Sequence, residues 1–236
     1  MLLDRTRMIN EIALGYGVQA TGPFNPLSKQ NSPNVQPWPY DVERAKKLLS
    51  DIGFADRNKD GVIELADGTP FEFRLTYPGG GGNYEKMVLF MKDAYARAGI
   101  VLKPDPLEWG VFTDRLNNKN FEAISLGWTS GIENDIFQMF HSSQAGAGGD
   151  NFMSYISPTL DAAVASARTT IDEDQRMPLW HKAHEAIHED QPYTFLWFGK
   201  NLSFVDGRIK NVKQVKLGLS PNEDWFVPRN EQKYTQ

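Results

Sequence analysis

Three histidines, His181, His184 and His188, stand at i, i+3 and i+7 in a stretch of helical spacing, so they share one helix face. His184-Glu185-Ala186-Ile187-His188 also matches the H-E-x-x-H pattern, in which two histidines hold zinc and the glutamate activates water. That chemistry would make the chain a zinc metallopeptidase. Three features oppose it. No third-ligand pattern follows, and His141 lies upstream. Pro192 ends the helix one turn after His188. Trp180, Ala183 and Ile187 make the opposite face a core stripe. The competing reading is a solvent-facing helix face that happens to carry histidines, with adventitious metal binding by the His184/His188 pair.

A second stretch, Asp56-Arg57-Asn58-Lys59-Asp60-Gly61, has the oxygen donors and turn glycine of an EF-hand loop. A strand is expected after it where an EF-hand needs a helix, and position twelve is Asp67 rather than glutamate. The alternative is a turn whose Asx side chains satisfy their own backbone. A third stretch, Gly79-Gly80-Gly81-Gly82, lies between a strand and a helix start, a place that can cradle an anion. It lacks the G-K-[ST] of a P-loop and any G-x-G-x-x-G, so it reads as a flexible loop or a floor where a ligand's main chain comes close.

The elements that must position these residues follow from periodicity. Helices are expected at 4–16, from Tyr40-Asp41 to Gly53 with Ala45, Leu48 and Leu49 as its apolar face, and at 84–98, 111–117, 135–140, 158–169 and 173–190. Strands are expected at 69–77, 101–107, 122–128, 194–198, 202–206 and 212–217. A long Pro/Gly/Asn/Ser loop covers 17–39, and a Ser/Gly/Ala loop 142–152. Strands alternating with helices predict an α/β fold with a mainly parallel or mixed sheet flanked by helices.

The 236 residues, net charge of −5 and absence of any long basic block set nucleic acid aside as a partner. Hydrophobic content of 40% is that of a globular domain. No apolar stretch reaches the ~18 residues a membrane span requires. Asp4, Arg5 and Arg7 interrupt any signal-peptide core, and the N-terminus reads as an amphipathic helix that begins abruptly. There is no cysteine, which rules out disulfide and thiol chemistry and fits an oxidising compartment.

The segments taken in order carry a resemblance. DRTRMINEIALGYG, ATGPFNP, YDVERAKKLLSDIGF with DRNKDGVIELADG, LEWGVFTDRL, LGWTSGIENDIFQMFHSSQ, DEDQRMPLWHKAHEAIHEDQPYTFLW and WFVP resemble the C-terminal lobe of the family-5 (dipeptide/oligopeptide/nickel) extracellular solute-binding proteins of ABC importers. The likeness covers nearly the whole chain. It implies a periplasmic-binding-protein-like lobe over 1–236 that works with an N-terminal lobe lying outside this sequence. It implies a non-catalytic role with no cofactor, a peptide ligand, a membrane permease as partner, and a periplasmic or extracytoplasmic location. Family members clasp their ligand between two lobes by hinge closure.

In this lobe the resemblance places the cleft wall on loops at strand ends: 79–84, 128–135 and 142–152. Gly80, Gly81 and Asn83 are expected beside the ligand main chain. Trp128 offers a flat apolar face, or else is a core aromatic. Ser130 and Asn134 can bond a peptide backbone. Glu133 or Asp135 can pair with an α-ammonium, or else serve a helix N-terminus. The dipeptide-binding branch carries an arginine just after the strand ending here at Tyr77, and an aspartate near the position of Gly131. This chain has Pro78 and glycines in their place, which favours longer peptides or a ligand with different ends.

Overall fold

The structure is a computed structural model that describes residues 1–129, 131–146, 148–216 and 218–233. It divides into two compact units, Met1–Phe198 and Gly199–Gln236.

The first unit is built on a parallel sheet. Its central strand β2 (Glu72–Pro78) pairs with β3 (Val101–Leu107) in register from Glu72↔Val101 to Pro78↔Leu107, and with β4 (Ala123–Ile124) at Leu75↔Ala123 and Thr76↔Ile124. The order is β3-β2-β4. Edge position explains how β3 tolerates Pro104 and Pro106, whose missing N–H groups cost nothing on an unpaired side. Helix α3 (Asn83–Ala96) crosses from β2 to β3 and buries Met87, Val88, Met91 and Ala94 against the sheet, together with α1 (Arg5–Glu11) through Met8. Helix α4 (Trp109–Asn117) follows β3 and buries Phe112 and Leu116 with Phe152. A second core joins α5 (Phe137–Phe140), α6 (Pro158–Thr169) and α7 (Glu173–Asp190) around Phe24, Trp180 and Ile187. A short strand β1 (Gly17–Gln19) interrupts the long loop and pairs with β5 (Trp197–Gly199), at which this unit ends. The smaller unit contains the antiparallel pair β6 (Gln214–Val215) and β7 (Gly218–Leu219) and the bridge between Lys210 and Phe226.

Several expectations are corrected. The first helix is shorter than 4–16: Leu14 at φ 52° and Gly15 at φ 78° are left-handed and stop it. It does not begin abruptly, because Asp4 caps it by accepting from the Arg7 N–H at 2.9 Å. In α2 (Val42–Asp51) only Ala45 of the expected apolar face is buried, and Leu48 is exposed. The strand expected at 122–128 pairs only over Ala123–Ile124, since Pro78 has no N–H with which β2 could extend the ladder. No strand forms over 202–206, where Leu202 and Phe204 are exposed. Of 212–217, Gln214–Val215 is strand and Leu217 lies outside the described residues.

Candidate functional site

The histidine face of α7 is not open to solvent. The 20–38 loop lies over it, and His184 is 0% exposed. The Ser32 N–H donates to His184 Nδ1 at 3.0 Å, so the ring proton stands on Nε2, which donates to Thr21 Oγ1 at 3.2 Å. Burial pushes the His184 pKa down to about 4, which keeps the ring in this neutral form. Glu185 accepts from the Ser32 hydroxyl at 2.9 Å and from Asn34 Nδ2 at 3.1 Å. His188 donates through Nδ1 to the Thr21 carbonyl at 3.0 Å and stacks on Trp38 with ring centroids 5.3 Å apart. His181 donates to the Lys29 carbonyl at 2.8 Å. Each of the three polar residues of the zinc-like motif thus bonds the loop. The expectation of a solvent-facing histidine stripe fails because a long loop without its own hydrogen-bond ladder needs partners, and α7 supplies them. Among the described residues no group of three His, Cys, Asp or Glu side chains is placed to hold a metal ion.

The Asp56–Asp67 turn is closed in the same way. Asp56 accepts from the Asp60 and Gly61 N–H groups at 3.1 and 3.0 Å. Asn58 accepts from the Asp60 N–H at 2.9 Å, and Asp60 from the Val62 N–H at 2.8 Å. Buried Glu64 takes the Arg57 N–H at 2.8 Å. These are Asx-turn bonds, made by the side chains that would ligate calcium.

The carboxyl ends of the three parallel strands are different. This is the edge at which open α/β sheets bind ligands. After β2 comes the glycine run. Gly79 donates to the Leu107 carbonyl at 2.6 Å, and a Cβ there would meet that oxygen at 3.2 Å. Gly80, Gly81 and Gly82 have φ of 110°, 84° and 79°, with open space where side chains would be. Helix α3 then begins at exposed Asn83, and no N-cap side chain accepts from its first N–H groups. After β3, Trp109 is 59% exposed and stacks on buried Phe112 at 5.6 Å. After β4, Trp128 is 43% exposed and stacks on Phe152 at 5.9 Å. Phe112 and Phe152 belong to one buried cluster, so both tryptophans stand on the same footing. Burial pushes the nearby Tyr193 phenol up to about 12, a shift the Trp128 side chain opposes. Tyr84 connects the loops: a Cβ on Gly127 would lie 3.6 Å from its hydroxyl.

Of the expected site residues, the structure therefore brings Gly80, Gly81, Asn83 and Trp128 to the strand ends. Ser130 lies outside the described residues. Asn134 and Asp135 are tied to other elements. The Asp135 carboxylate bonds the Phe137 N–H at 3.1 Å and pairs with Arg168 of α6 at 2.9 Å. The Asn134 main chain is held by Gln30, while Glu133 is exposed. Two site features were missed in the sequence. Trp109 shows there only as one aromatic at a strand-to-helix junction. Lys119 carries no sequence signal at all. Its backbone is left-handed at φ 53°, and its ammonium donates to the carbonyls of Ala145 and Asn151. It thereby secures the loop that carries Phe152 under Trp128. No helix among the described residues is long and apolar enough to cross a membrane.

Comparison with known proteins finds relatives of this chain. Residues 1–150 match the model of the bacterial extracellular solute-binding proteins, family 5, middle region. The oligopeptide-binding protein AppA of Bacillus subtilis (strain 168) is 29% identical over 233 residues, which are 96% of this chain and 42% of that protein. The structure of AppA in complex with a nonapeptide aligns with a TM-score of 0.78 at 29% identity, covering 84% of this chain and 40% of that one. NikZ from Campylobacter jejuni in complex with Ni(L-His) aligns with a TM-score of 0.77 at 26% identity, over 84% and 40% of the two chains. The chain thus spans about two-fifths of the length of these relatives.

Proposed function

This chain belongs to the bacterial extracellular solute-binding proteins of family 5, and from that premise we propose that it forms one wall of a cleft that captures oligopeptides without catalysis and delivers them to a membrane permease outside the cytoplasm. The observation that carries this reading is the open edge at the carboxyl ends of β2, β3 and β4. There Gly80–Gly82 leave room for a ligand main chain, the uncapped α3 terminus offers donors, and Trp109 and Trp128 present apolar faces. Main-chain hydrogen bonds with roomy apolar surroundings tolerate many peptide sequences. The absence of an arginine at 78 and of an acid at 131 favours peptides longer than two residues. The 236 residues are proposed as one α/β lobe of a two-lobed clamp, with Glu133 as the acid that meets a ligand ammonium.

A clamp divides its contacts between two walls. If the whole binds at ~1 μM, losing ~4 kcal/mol leaves a single wall near ~1 mM. The test is therefore titration of this chain with a random nonapeptide pool up to millimolar concentration, read by tryptophan fluorescence. Saturable quenching that disappears in Trp128→Ala supports the reading. No saturation, or saturation untouched by Trp128→Ala, sinks it. A peptidase assay with added zinc completes the experiment: turnover abolished by Glu185→Gln would replace binding with hydrolysis.

A further inference from the structure

The loop held by the α7 histidines reaches the segment that follows Trp128. Gln30 is 2% exposed. Its Nε2 donates to the Asn134 carbonyl at 3.0 Å, and its Oε1 accepts from the Asn134 N–H at 2.7 Å. One side-chain amide thus does for Asn134 what a neighbouring strand would do, pairing both main-chain groups of one residue. Glutamine and asparagine are the side chains that carry a neutral donor and acceptor on one planar group. Gln30 is itself braced. Its N–H donates to Ser28 Oγ at 3.0 Å, and Ser32, two residues on, is fixed by His184 and Glu185. The neighbouring Lys29 is fixed by His181 through its carbonyl and by Glu173 through its ammonium.

We propose that Gln30 is a positioning residue for the ligand cleft: by pairing both main-chain groups of Asn134 it fixes the 132–135 segment and so sets where the Glu133 carboxylate stands. This rests on the reading of Glu133 as the acid that meets a peptide's α-ammonium. It gives the zinc-like motif its role in the molecule. His184, Glu185 and His188 seat a loop, and the loop carries Gln30 to the site. Asp135, the next residue along, is held by Arg168, so the two residues that follow Glu133 are both anchored while Glu133 is itself exposed. The Lys29 ammonium, paired with Glu173 of α7, lies within electrostatic range of Glu133.

Three variants of the full 236-residue chain decide the matter. Gln30→Met keeps the volume and removes both bonds. Glu133→Gln removes the acid. Arg57→Met loosens the distant 53–64 turn, where Arg57 holds the Gly53 carbonyl at 2.9 Å, and so controls for general destabilisation. The ligand-free measurement is hydrogen exchange of the Asn134 amide. Gln30→Met is expected to speed it on the order of tenfold, the size of one lost buried hydrogen bond, and Arg57→Met to leave it unchanged. Unchanged exchange in Gln30→Met overturns the proposal, as does equal acceleration in Arg57→Met. The ligand measurement is the affinity ratio of a free to an N-acetylated nonapeptide pool. A wild-type preference for free ends that falls to unity in Glu133→Gln and in Gln30→Met, but not in Arg57→Met, supports positioning. A preference lost in Glu133→Gln yet kept in Gln30→Met overturns it. A wild-type ratio of one rejects Glu133 as the ammonium anchor, and the exchange measurement then decides on Gln30 alone. Should Gln30→Met not fold, Gln30→Asn keeps the amide but shortens its reach by one methylene, and the same two readouts apply.

Discussion

The histidine face of α7 and the strand-end edge of the parallel sheet both gather residues capable of chemistry, and they use them in opposite ways. On α7 the polar atoms of His184 and Glu185 are matched inside the molecule by Thr21, Ser32 and Asn34. At the strand ends the glycine run faces open space, α3 begins without a side-chain cap, and two tryptophans are half-exposed. A matched polar network stabilises and specifies a fold, whereas unmatched donors and exposed aromatic faces are what a ligand completes. The contrast separates residue type from residue availability. The face with the more suggestive motif is the structural one.

Breaking the closed side should cost the most stability. His184→Ala removes a buried ring that meets Phe24 edge-on at 5.7 Å, and it strands the Ser32 N–H. Cavity and lost hydrogen bond together predict a loss of ~3–4 kcal/mol in urea denaturation. Gly22→Ala attacks the same point from the other side, because a Cβ on Gly22 would lie 2.4 Å from the His184 ring. Overpacking of that kind predicts ~1–3 kcal/mol. A loss below ~1 kcal/mol in both variants would mean that the loop is not latched to α7.

Protonation of the same ring gives a somewhat smaller effect. His184 titrates near 4 in the folded chain against 6.5 for an unperturbed histidine. Between these values the unfolded chain takes up a proton that the folded chain refuses. The contribution is therefore fully present above pH ~6.5 and falls as the pH drops toward ~4, by ~3 kcal/mol in all. Other groups titrate in this window as well, so the measurement is the difference in pH slope between wild type and His184→Gln. Parallel slopes would show that His184 is not the buried neutral base described.

The open side should respond the other way. Trp128→Ala takes away a ring that is already 43% exposed, so the expected stability loss is under ~1.5 kcal/mol, while affinity for the nonapeptide pool falls about tenfold or more. A large stability loss without change in affinity would make Trp128 a core aromatic and close the contrast.

How far the sequence already showed this follows from what each device depends on. Period and capping are local. Hence 101–107, 158–169 and 173–190 are read at their observed bounds, while the caps Ser157 on α6 and Asp172 on α7 come from the structure. The glycine run and Trp128 were legible because a positive φ or an exposed aromatic at a strand end leaves a local mark. What covers a face is not local. The burial of His184 depends on Thr21 and Ser32, 163 and 152 residues away, and the hold on Asn134 comes from Gln30 at a separation of 104 residues. Nothing in the period of α7 announces a loop above it. Lys119 fails for the same reason, since its partners Ala145 and Asn151 are 26 and 32 residues downstream.

The Asp56–Asp67 turn supplies the smallest expected effect and a third case for the contrast. It has the residue types of a metal loop, yet it resembles the α7 face in that its oxygens already accept from its own backbone. Both Asp56 oxygens are taken, by the Asp60 and Gly61 N–H groups. Asn58 and Asp60 accept from N–H groups two residues ahead, and Glu64 turns away to bond Arg57 and Asn58. A calcium ion would have to break several of these bonds to collect the six to eight oxygens it takes, and each broken bond costs ~1 kcal/mol or more. Millimolar calcium should accordingly leave the melting temperature where it is. An ion that did bind the folded chain alone, at a hundredfold excess over its Kd, would add ~2.7 kcal/mol, a rise of several degrees in this size of protein. The comparison of wild type with Asp60→Ala in calcium and in chelator reads the difference directly. A calcium-dependent rise present in wild type and absent in Asp60→Ala would move this turn from the closed class to the open one, and hydrogen-bond closure would then no longer suffice to tell structural polar clusters from binding ones.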